Sequence, residues 1–249
     1  MSLNVAVLLP AAGGSSRFKG QRKKQFTDLN GRAVFLRSIE IFADREDVKQ
    51  VIIAIPAEDE ELFQVKWAAN LGFYGVKYII GGTQRHETVN KMLAEVDDSQ
   101  IDLIAVHDAV RPCVTSEQID AVFAASAKSG AALLAHQLVG TVKQVDENNI
   151  ITQTIDRRQF WEAQTPQVFK PDILRKAYQN LSELDEDITD DAQLVEAQGV
   201  PVTIVPSDSG NIKITSNTDL AIAAGILKAR EAAQKPKGPV GPWAAEQGW

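Results

Sequence analysis

Short apolar runs alternate with stretches of helical character over the first 138 residues of the chain. Runs such as NVAVLLP at 4–10 are rich in β-branched residues and leucine and stop at turn-forming residues, as buried parallel strands do. Strands are predicted over 4–10, 48–56, 76–82, 101–112 and 131–138. Helical spacing of apolar residues, acidic or capping starts and glycine ends predict helices over 33–44, 57–72, 85–96 and 115–130. This order predicts the α/β class, with a single doubly wound, mostly parallel sheet covered by helices on both faces.

The pattern changes after residue 138. Residues 140–157 alternate polar and apolar around the turn sequence DENN at 146–149, which predicts a β-hairpin. An isolated two-stranded ribbon is marginally stable in water, so this arm, at about 139–158, needs a surface to pack on. A partner subunit would supply one. The folded domain is expected to span 1–234, and the Pro- and Gly-rich residues 235–249 are predicted to form a mobile tail.

Composition and charge narrow the classes of function. The chain has 249 residues and a formal net charge of −7, which argues against broad nucleic-acid binding. Its one cysteine, Cys113, excludes an internal disulfide and is expected to be inert. The three histidines have no metal-ligand spacing: His86, His107 and His136. The N-terminal apolar run has no basic segment before it and is too short to cross a membrane, so we expect a cytoplasmic protein.

Ligands of doubly wound sheets bind beyond the carboxyl ends of the strands, so the loops at 10–25, 81–88 and 107–112 are the ones to search. The first loop, PAAGGSSRFKGQRKKQF, combines small residues with five cations: Arg17, Lys19, Arg22, Lys23 and Lys24. Small residues let backbone N–H groups approach a phosphate closely, and the cations would neutralise a polyphosphate. The loop is neither a Walker A motif nor a G-x-G-x-x-G fingerprint. The alternative is an ordinary surface loop with solvated lysines.

The other two loops carry further candidates. Asp108 ends a buried strand, where a carboxylate is costly without a partner or a task, so it could hold Mg²⁺ against phosphate oxygens. Arg111 could serve an anionic substrate, and the alternative is a structural pair of Asp108 with Arg111. Gly81 and Gly82 allow close backbone approach to a base or ribose, or form a simple turn. His107 is expected to be a packed strand residue.

One more lysine lies outside these loops. Lys213 is predicted to lie in a short β-like segment, SGNIKIT at 209–215, where a solvated edge charge is the ordinary explanation.

Taken in order, these motifs resemble a known family. PAAGGSSRF with KKQF, GGTQRHETV, VHDAVRPC, GTVK, TIDRRQFWEAQTPQVF, ITDDA and NIKIT follow one another along residues 10–215, as in the 2-C-methyl-D-erythritol 4-phosphate cytidylyltransferases. The resemblance implies a Rossmann-like nucleotidyltransferase fold. It also implies transfer of a cytidylyl group from CTP to the 4-phosphate of methylerythritol, release of pyrophosphate and use of Mg²⁺. Members of the family are homodimers in which each β-arm reaches the partner's active site, which would account for the hairpin.

The resemblance also assigns roles to residues. Arg17, Lys24 and Lys213 would be catalytic, and Lys24 matches better than Lys23 because it directly precedes Gln25. Asp108 would hold Mg²⁺ and the ribose. The other CTP-binding residues would be Ala11, Ala12, Gly13, Gly82 and Thr88. The acceptor would be held by Arg111, Thr141, Arg157, Thr165 and Thr189.

Two alternatives remain open from sequence. The first is a ribitol 5-phosphate cytidylyltransferase, whose CTP-binding loops are shared, so that the acceptor side alone separates the two. The second is a paralogue that binds CTP without turnover, against which the cluster of charged residues argues because such charges are costly to gather without a ligand. A Rossmann dehydrogenase is set aside, because the glycine spacing of its fingerprint is missing.

Overall fold

The computed structural model of this chain describes residues 3–13, 23–181 and 188–234. Its strands are β1 (Val5–Pro10), β2 (Asp28–Leu29), β3 (Arg32–Ala33), β4 (Val48–Ile55), β5 (Lys77–Ile80), β6 (Leu103–Val106), β7 (Ala131–Gln137), β8 (Val142–Val145), β9 (Ile151–Ile155), β10 (Trp161–Phe169) and β11 (Thr203–Pro206). Its helices are α1 (Val34–Ala43), α2 (Glu60–Phe73), α3 (Arg85–Ala94), α4 (Ser116–Ser129), α5 (Pro171–Gln179), α6 (Asp191–Ala197) and α7 (Asn217–Gln234). Every strand and helix predicted over 1–138 is present, with boundaries within three residues of the prediction, except that the strand predicted over 101–112 ends at Val106. The predicted tail at 235–249 lies outside the described residues.

Within the described ranges, seven strands form the central sheet in the order β11-β7-β10-β6-β1-β4-β5. β1 pairs in parallel with β4 and β6, β4 with β5, and β11 with β7. β10 alone in this sheet is antiparallel to its neighbours, β6 and β7. The prediction of a doubly wound, mostly parallel sheet is confirmed.

The sheet is buried on both faces, and β1 shows why its sequence reads as a continuous apolar run. Successive side chains of a strand point to opposite faces. Val5, Val7 and Leu9 join one buried cluster, whose helical members include Phe35, Phe63, Trp67 and Phe123 of α1, α2 and α4. Ala6 and Leu8 join the other cluster, whose helical members include Val89, Met92, Leu174 and Leu194 of α3, α5 and α6. Helices packed on both faces hold the strands in place. The loops that follow the strand ends, and that form the site, are held in place with them.

The ends of α4 show how local sequence sets an element. The Thr115 hydroxyl accepts the backbone N–H of Gln118, and the Gln118 side chain accepts that of Thr115, which forms a capping box. The helix ends at Gly130, whose φ of +90° is a left-handed conformation that glycine adopts without strain. Both ends were predicted.

β10 was not predicted. It inserts between β6 and β7, and its pairing with β7 is interrupted between Ala163 and Gln167. Gln167 pairs with Val106, the last residue of β6, so Gln164 and Thr165 lie just beyond the carboxyl end of β6. This places two polar side chains beside Asp108.

The predicted hairpin is present as β8 and β9, paired antiparallel. In its turn, the Asp146 carboxylate accepts the backbone N–H groups of Asn148 and Ile150. Several apolar side chains on and beside the arm are about half exposed or more: Val139, Val145, Ile150, Ile151 and Phe160.

The β-like segment predicted around Lys213 is wrong. Residues 212–215 form no strand; the Ile214 N–H donates to the Val110 carbonyl, which ties the segment to the loop after β6. The segment therefore belongs to the site rather than to a sheet edge. No helix within the described ranges is long and apolar enough to cross a membrane.

Candidate functional site

A cavity opens at the carboxyl ends of β1, β5 and β6, where the sequence predicted the ligand loops. Its wall is formed by Pro10, Ala11, Ala12, Gly13, Lys24, Gln25, Gly82, Thr83, Gln84, Arg85, Thr88, Asp108, Val110 and Lys213. All six residues predicted to bind CTP are present in this wall, with two of the three predicted catalytic residues. Arg17 lies outside the described residues, as do Lys19 and Arg22.

The two neighbouring lysines after the first loop are used differently. Lys23 extends its Nζ to Glu58 and Asp59, just before α2, at 2.5 and 2.6 Å. Lys24 instead lines the cavity. The buried amide of Gln25 donates to the Ala11 carbonyl at 2.9 Å, which ties the turn carrying Lys24 to the end of β1. The choice of Lys24 over Lys23 therefore agrees with the geometry.

The Gly81–Gly82 loop is held against the cavity by Glu87. The Glu87 carboxylate accepts the Thr83 hydroxyl and the backbone N–H groups of Thr83 and Gln84. These hydrogen bonds, led by that of the Thr83 hydroxyl, lower the pKa of Glu87. A Cβ at Gly81 would lie 2.3 Å from the Cβ of Ala12, so glycine is required for the loop to reach the end of β1.

Asp108 is surrounded by three cations. Its Oδ2 lies 2.9 Å from Lys213 Nζ and 3.3 Å from Arg111 Nε, and its Oδ1 lies 3.8 Å from Arg85 Nε. Burial alone would raise the pKa of Asp108, but the charges of Lys213, Arg85 and Arg111 outweigh it and hold that pKa well below its usual range. The structural pair of Asp108 with Arg111 is present, as one contact of a larger cluster. Lys213, although 40% exposed at its side chain, lines both cavities and pairs with Asp108 rather than standing alone as a solvated edge charge.

A buried network fixes the backbone beneath Asp108. The Asp108 N–H donates to Thr165 Oγ1 at 2.9 Å, and Thr165 Oγ1 lies 3.2 Å from His107 Nδ1. His107 Nε2 lies 3.1 Å from the Arg111 carbonyl oxygen. Burial lowers the pKa of His107 to about 4, so the ring is neutral and can donate from Nε2 to that carbonyl while Nδ1 accepts the Thr165 hydroxyl. His107 is a packed residue, as predicted.

A second cavity adjoins the first. It is lined by Arg85, Asp108, Arg111, Ala163, Gln164, Thr165, Gln167, Thr189, Asp190 and Lys213. Three of the five predicted acceptor residues lie here: Arg111, Thr165 and Thr189. The two cavities share Arg85, Asp108 and Lys213.

The other two predicted acceptor residues, Thr141 and Arg157, are on the arm. Both are exposed, and neither lines one of the two cavities formed by the described residues. The arm does not bring them to the site of its own chain.

Sequence reasoning missed Arg85 and its partner. Arg85 Nη2 lies 2.6 Å from Oδ2 of Asp191, which is fully buried. The signals were present but weak: Arg85 stands within GGTQRHETV and Asp191 within ITDDA, yet nothing in either stretch shows that residues 106 positions apart meet.

At the junction of the two cavities, the described residues offer one carboxylate to a divalent cation. Among the described residues, no three His, Cys, Asp or Glu side chains lie together as metal ligands. Asp108 is the carboxylate that lines both cavities. One carboxylate combined with ligand phosphates is an ordinary way for proteins to bind Mg²⁺, so these residues fit a cation that arrives with a polyphosphate.

Comparison with known proteins gives a consistent result. The chain matches the model of the 2-C-methyl-D-erythritol 4-phosphate cytidylyltransferase family over residues 5–229. A protein of that name from Rhodopirellula baltica is 38% identical over 234 residues, covering 90% of this chain and 95% of the relative. Another, from Endomicrobium trichonymphae, is 38% identical over 223 residues, covering 90% and 98%.

Solved structures agree. The 4-diphosphocytidyl-2C-methyl-D-erythritol synthase of Anaerococcus prevotii matches with a TM-score of 0.78 at 25% identity, covering 91% of this chain and 97% of that chain. The 2-C-methyl-D-erythritol 4-phosphate cytidylyltransferase of Francisella tularensis matches with a TM-score of 0.74 at 31% identity, covering 90% and 99%.

Proposed function

This chain belongs to the 2-C-methyl-D-erythritol 4-phosphate cytidylyltransferase family of nucleotidyltransferases, and we propose that it transfers the cytidylyl group of CTP to 2-C-methyl-D-erythritol 4-phosphate. The products are 4-diphosphocytidyl-2-C-methyl-D-erythritol and pyrophosphate, in non-mevalonate isoprenoid biosynthesis. We also infer a cytoplasmic location, where CTP is available.

One observation supports the proposal above all: the two cavities adjoin and share three charged residues in their walls. The first cavity offers glycine-rich backbone and Lys24, which suit a nucleotide triphosphate. The second offers Arg111, Thr165 and Thr189, which suit a small phosphorylated polyol. Arg85, Asp108 and Lys213 line both, so two ligands bound side by side would meet there.

The reaction requires that the two substrates be positioned side by side and that positive charge offset their phosphates. An oxygen of the acceptor phosphate forms a bond to the α-phosphorus of CTP, and the bond from that phosphorus to the bridging oxygen breaks as pyrophosphate leaves. The attacking phosphate is largely ionised at neutral pH, so no side chain has to remove a proton. Lys24 and Lys213 would offset the negative charge that gathers at the α-phosphorus, and Arg17 is proposed to share this role.

Mg²⁺ is proposed as the cofactor, held by Asp108 together with the triphosphate. When bound, it would neutralise phosphate oxygens and orient the nucleotide. Lys213 and Arg111 both contact Oδ2 of Asp108, which leaves Oδ1 facing the more distant Arg85.

We propose that the active unit is a homodimer built through the arm. The exposed apolar residues of the arm support this, because a two-stranded ribbon with such residues gains stability from a partner surface. In such a dimer, Thr141 and Arg157 would complete the acceptor cavity of the partner chain.

The test is pyrophosphate release from CTP and Mg²⁺, with methylerythritol 4-phosphate and ribitol 5-phosphate supplied separately. We expect release with the first acceptor. Release with ribitol 5-phosphate alone would assign the chain to CDP-ribitol synthesis. CTP binding with no release from either acceptor would indicate the non-catalytic paralogue.

A further inference from the structure

Arg85 stands between two carboxylates and contacts them unequally. Its Nη2 lies 2.6 Å from Asp191 Oδ2, whereas its Nε lies 3.8 Å from Asp108 Oδ1. The Arg85 side chain is 27% exposed and lies at the junction of the two cavities. The guanidinium is therefore committed to Asp191 and only approaches Asp108.

The two oxygens of Asp108 have different surroundings. Oδ2 is in contact with Lys213 and Arg111, at 2.9 and 3.3 Å. Arg85 approaches the other oxygen, Oδ1, with its Nε at 3.8 Å. A closer Arg85 would compete for Oδ1 with a ligand of the nucleotide cavity.

Asp191 is held rigidly in place. Its Oδ1 accepts the Tyr178 hydroxyl at 2.5 Å, and its backbone N–H donates to Gln167 Oε1 at 3.0 Å. The Gln167 amide in turn donates to Asp190, at 2.8 Å. The Tyr178 hydroxyl thus holds the carboxylate, and Gln167 holds the backbone that carries it. A buried carboxylate held in this way can anchor a cation, because it cannot follow the cation toward the cavity.

We propose that Asp191 is a positioning residue that withholds Arg85 from Asp108 and so keeps Asp108 Oδ1 available to the magnesium–nucleotide complex. This inference rests on the proposed function, since it takes CTP and Mg²⁺ as the ligands. Without the Asp191 charge, the guanidinium would close on Oδ1, the nearest remaining carboxylate oxygen. Arg85 would then occupy the position that the divalent cation requires.

The experiment compares wild type, Asp191→Asn and the double variant Asp191→Asn with Arg85→Gln. CTP affinity is measured by titration calorimetry with excess Mg²⁺ and again with EDTA. We expect Asp191→Asn to weaken CTP binding about tenfold or more with Mg²⁺ and less than about threefold with EDTA. The double variant has no guanidinium to close on Asp108, so we expect the ratio of its CTP affinities with Mg²⁺ and with EDTA to return to near that of wild type, whatever uniform loss the missing Arg85 charge causes.

A control variant separates this role from a structural one. Ser126→Ala removes a buried hydrogen bond to the Val168 carbonyl, away from both cavities. It should lower the melting temperature while the effect of Mg²⁺ on CTP affinity stays near that of wild type.

The outcomes are distinct. The inference is overturned if Mg²⁺ raises CTP affinity equally in Asp191→Asn and wild type. It is also overturned if the ratio of CTP affinities with Mg²⁺ and with EDTA is as low in the double variant as in Asp191→Asn. If Asp191→Asn does not fold, the double variant is the test. A folded double variant that fails to bind CTP with Mg²⁺ would also overturn the inference. Wild type that binds no CTP would contradict the proposed function itself.

Discussion

At the scale of single residues, the two adjacent lysines give the sharpest contrast. Lys23 is neutralised by Glu58 and Asp59, whereas Lys24 faces the cavity. We expect Lys24→Ala to lower kcat by on the order of a hundredfold, which corresponds to roughly 3 kcal/mol of transition-state stabilisation. Steady-state rates of pyrophosphate release measure this. Lys23→Ala is the matched control, and a loss below about threefold in Lys24→Ala would remove Lys24 from the catalytic residues.

His107 predicts a pH dependence of stability. Its pKa is about 4 in the folded protein against an ordinary 6.5, so between these values the unfolded chain takes up a proton that the folded chain does not. Acid therefore favours unfolding, and this contribution is lost as the pH falls from 6.5 toward 4. The loss amounts to about 3 kcal/mol at the low end.

The measurement is urea unfolding of wild type and His107→Gln at several pH values in metal-free buffer. The variant lacks the titrating ring, so the excess stability of wild type over the variant should shrink as the pH falls. An excess that stays constant over this range would contradict the neutral, buried His107.

Prediction of single residues from sequence succeeded where the chemical type of a residue and its place at the end of a strand point to the same role. Asp108 follows a buried apolar strand, and both its burial and its need for cationic partners were inferred from that position. Arg85 was missed because its importance comes from Asp191, on a helix more than a hundred residues away. No local pattern encodes that ion pair; it appears only when α3 and α6 pack on the same face of the sheet.

At the scale of elements, the loop after β5 can pack against the end of β1 only because Gly81 has no side chain. A side chain at Gly81 would lie 2.3 Å from Ala12 Cβ and 3.1 Å from Thr88, so Gly81→Ala must push the loop away from β1. We expect the KM for CTP to rise about tenfold or more, because backbone groups of the loop would leave the cavity wall. Steady-state kinetics with varied CTP measure the effect.

A matched glycine provides the control. Gly72 lies in α2, and a Cβ there would meet nothing within 4 Å. Gly72→Ala should leave the KM unchanged and raise stability by up to about 1 kcal/mol, because alanine favours the helix. A normal KM for CTP in Gly81→Ala would show that the loop tolerates displacement.

Prediction of elements from sequence worked where periodicity was strong and failed at β10. WEAQTPQVF alternates apolar and polar residues only over Trp161–Gln164 before Thr165 and Pro166 interrupt it, so it carries neither sustained strand alternation nor a continuous apolar run. Its place between β6 and β7 depends on pairing with strands that are distant in sequence. That insertion brings Thr165 to Asp108, so the part of the site that depends on β10 could not be derived from local pattern.

At the scale of the whole molecule, the charge gathered at the two cavities is opposite in sign to the net charge of the chain. The chain carries a net charge of −7, yet Lys24, Arg85, Arg111 and Lys213 all lie at the two cavities. Low dielectric and short distance decide local electrostatics, so an acidic protein can still bind two anions side by side. Net charge argued against broad nucleic-acid binding but said nothing about small anionic ligands.

The arm predicts that acceptor binding is shared between two chains. Thr141 and Arg157 lie on the arm and line neither cavity of their own chain. Arg157→Ala should therefore weaken binding of the acceptor while CTP affinity stays normal. Calorimetry with each ligand separately measures this, and equal weakening of both would contradict an acceptor role for the arm.

Mixing two variants, at an acceptor concentration too low for either to turn over alone, tests whether the arm acts on the partner. Arg157→Ala has an intact pocket and a defective arm, whereas Lys213→Ala has a defective pocket and an intact arm. If sites are completed by the partner's arm, each mixed dimer has one site with both parts intact, and random exchange of subunits restores about a quarter of wild-type activity. If each arm served its own chain, both sites of a mixed dimer would carry one defect, and mixing would restore nothing. Each variant mixed with itself under the same exchange conditions is the control.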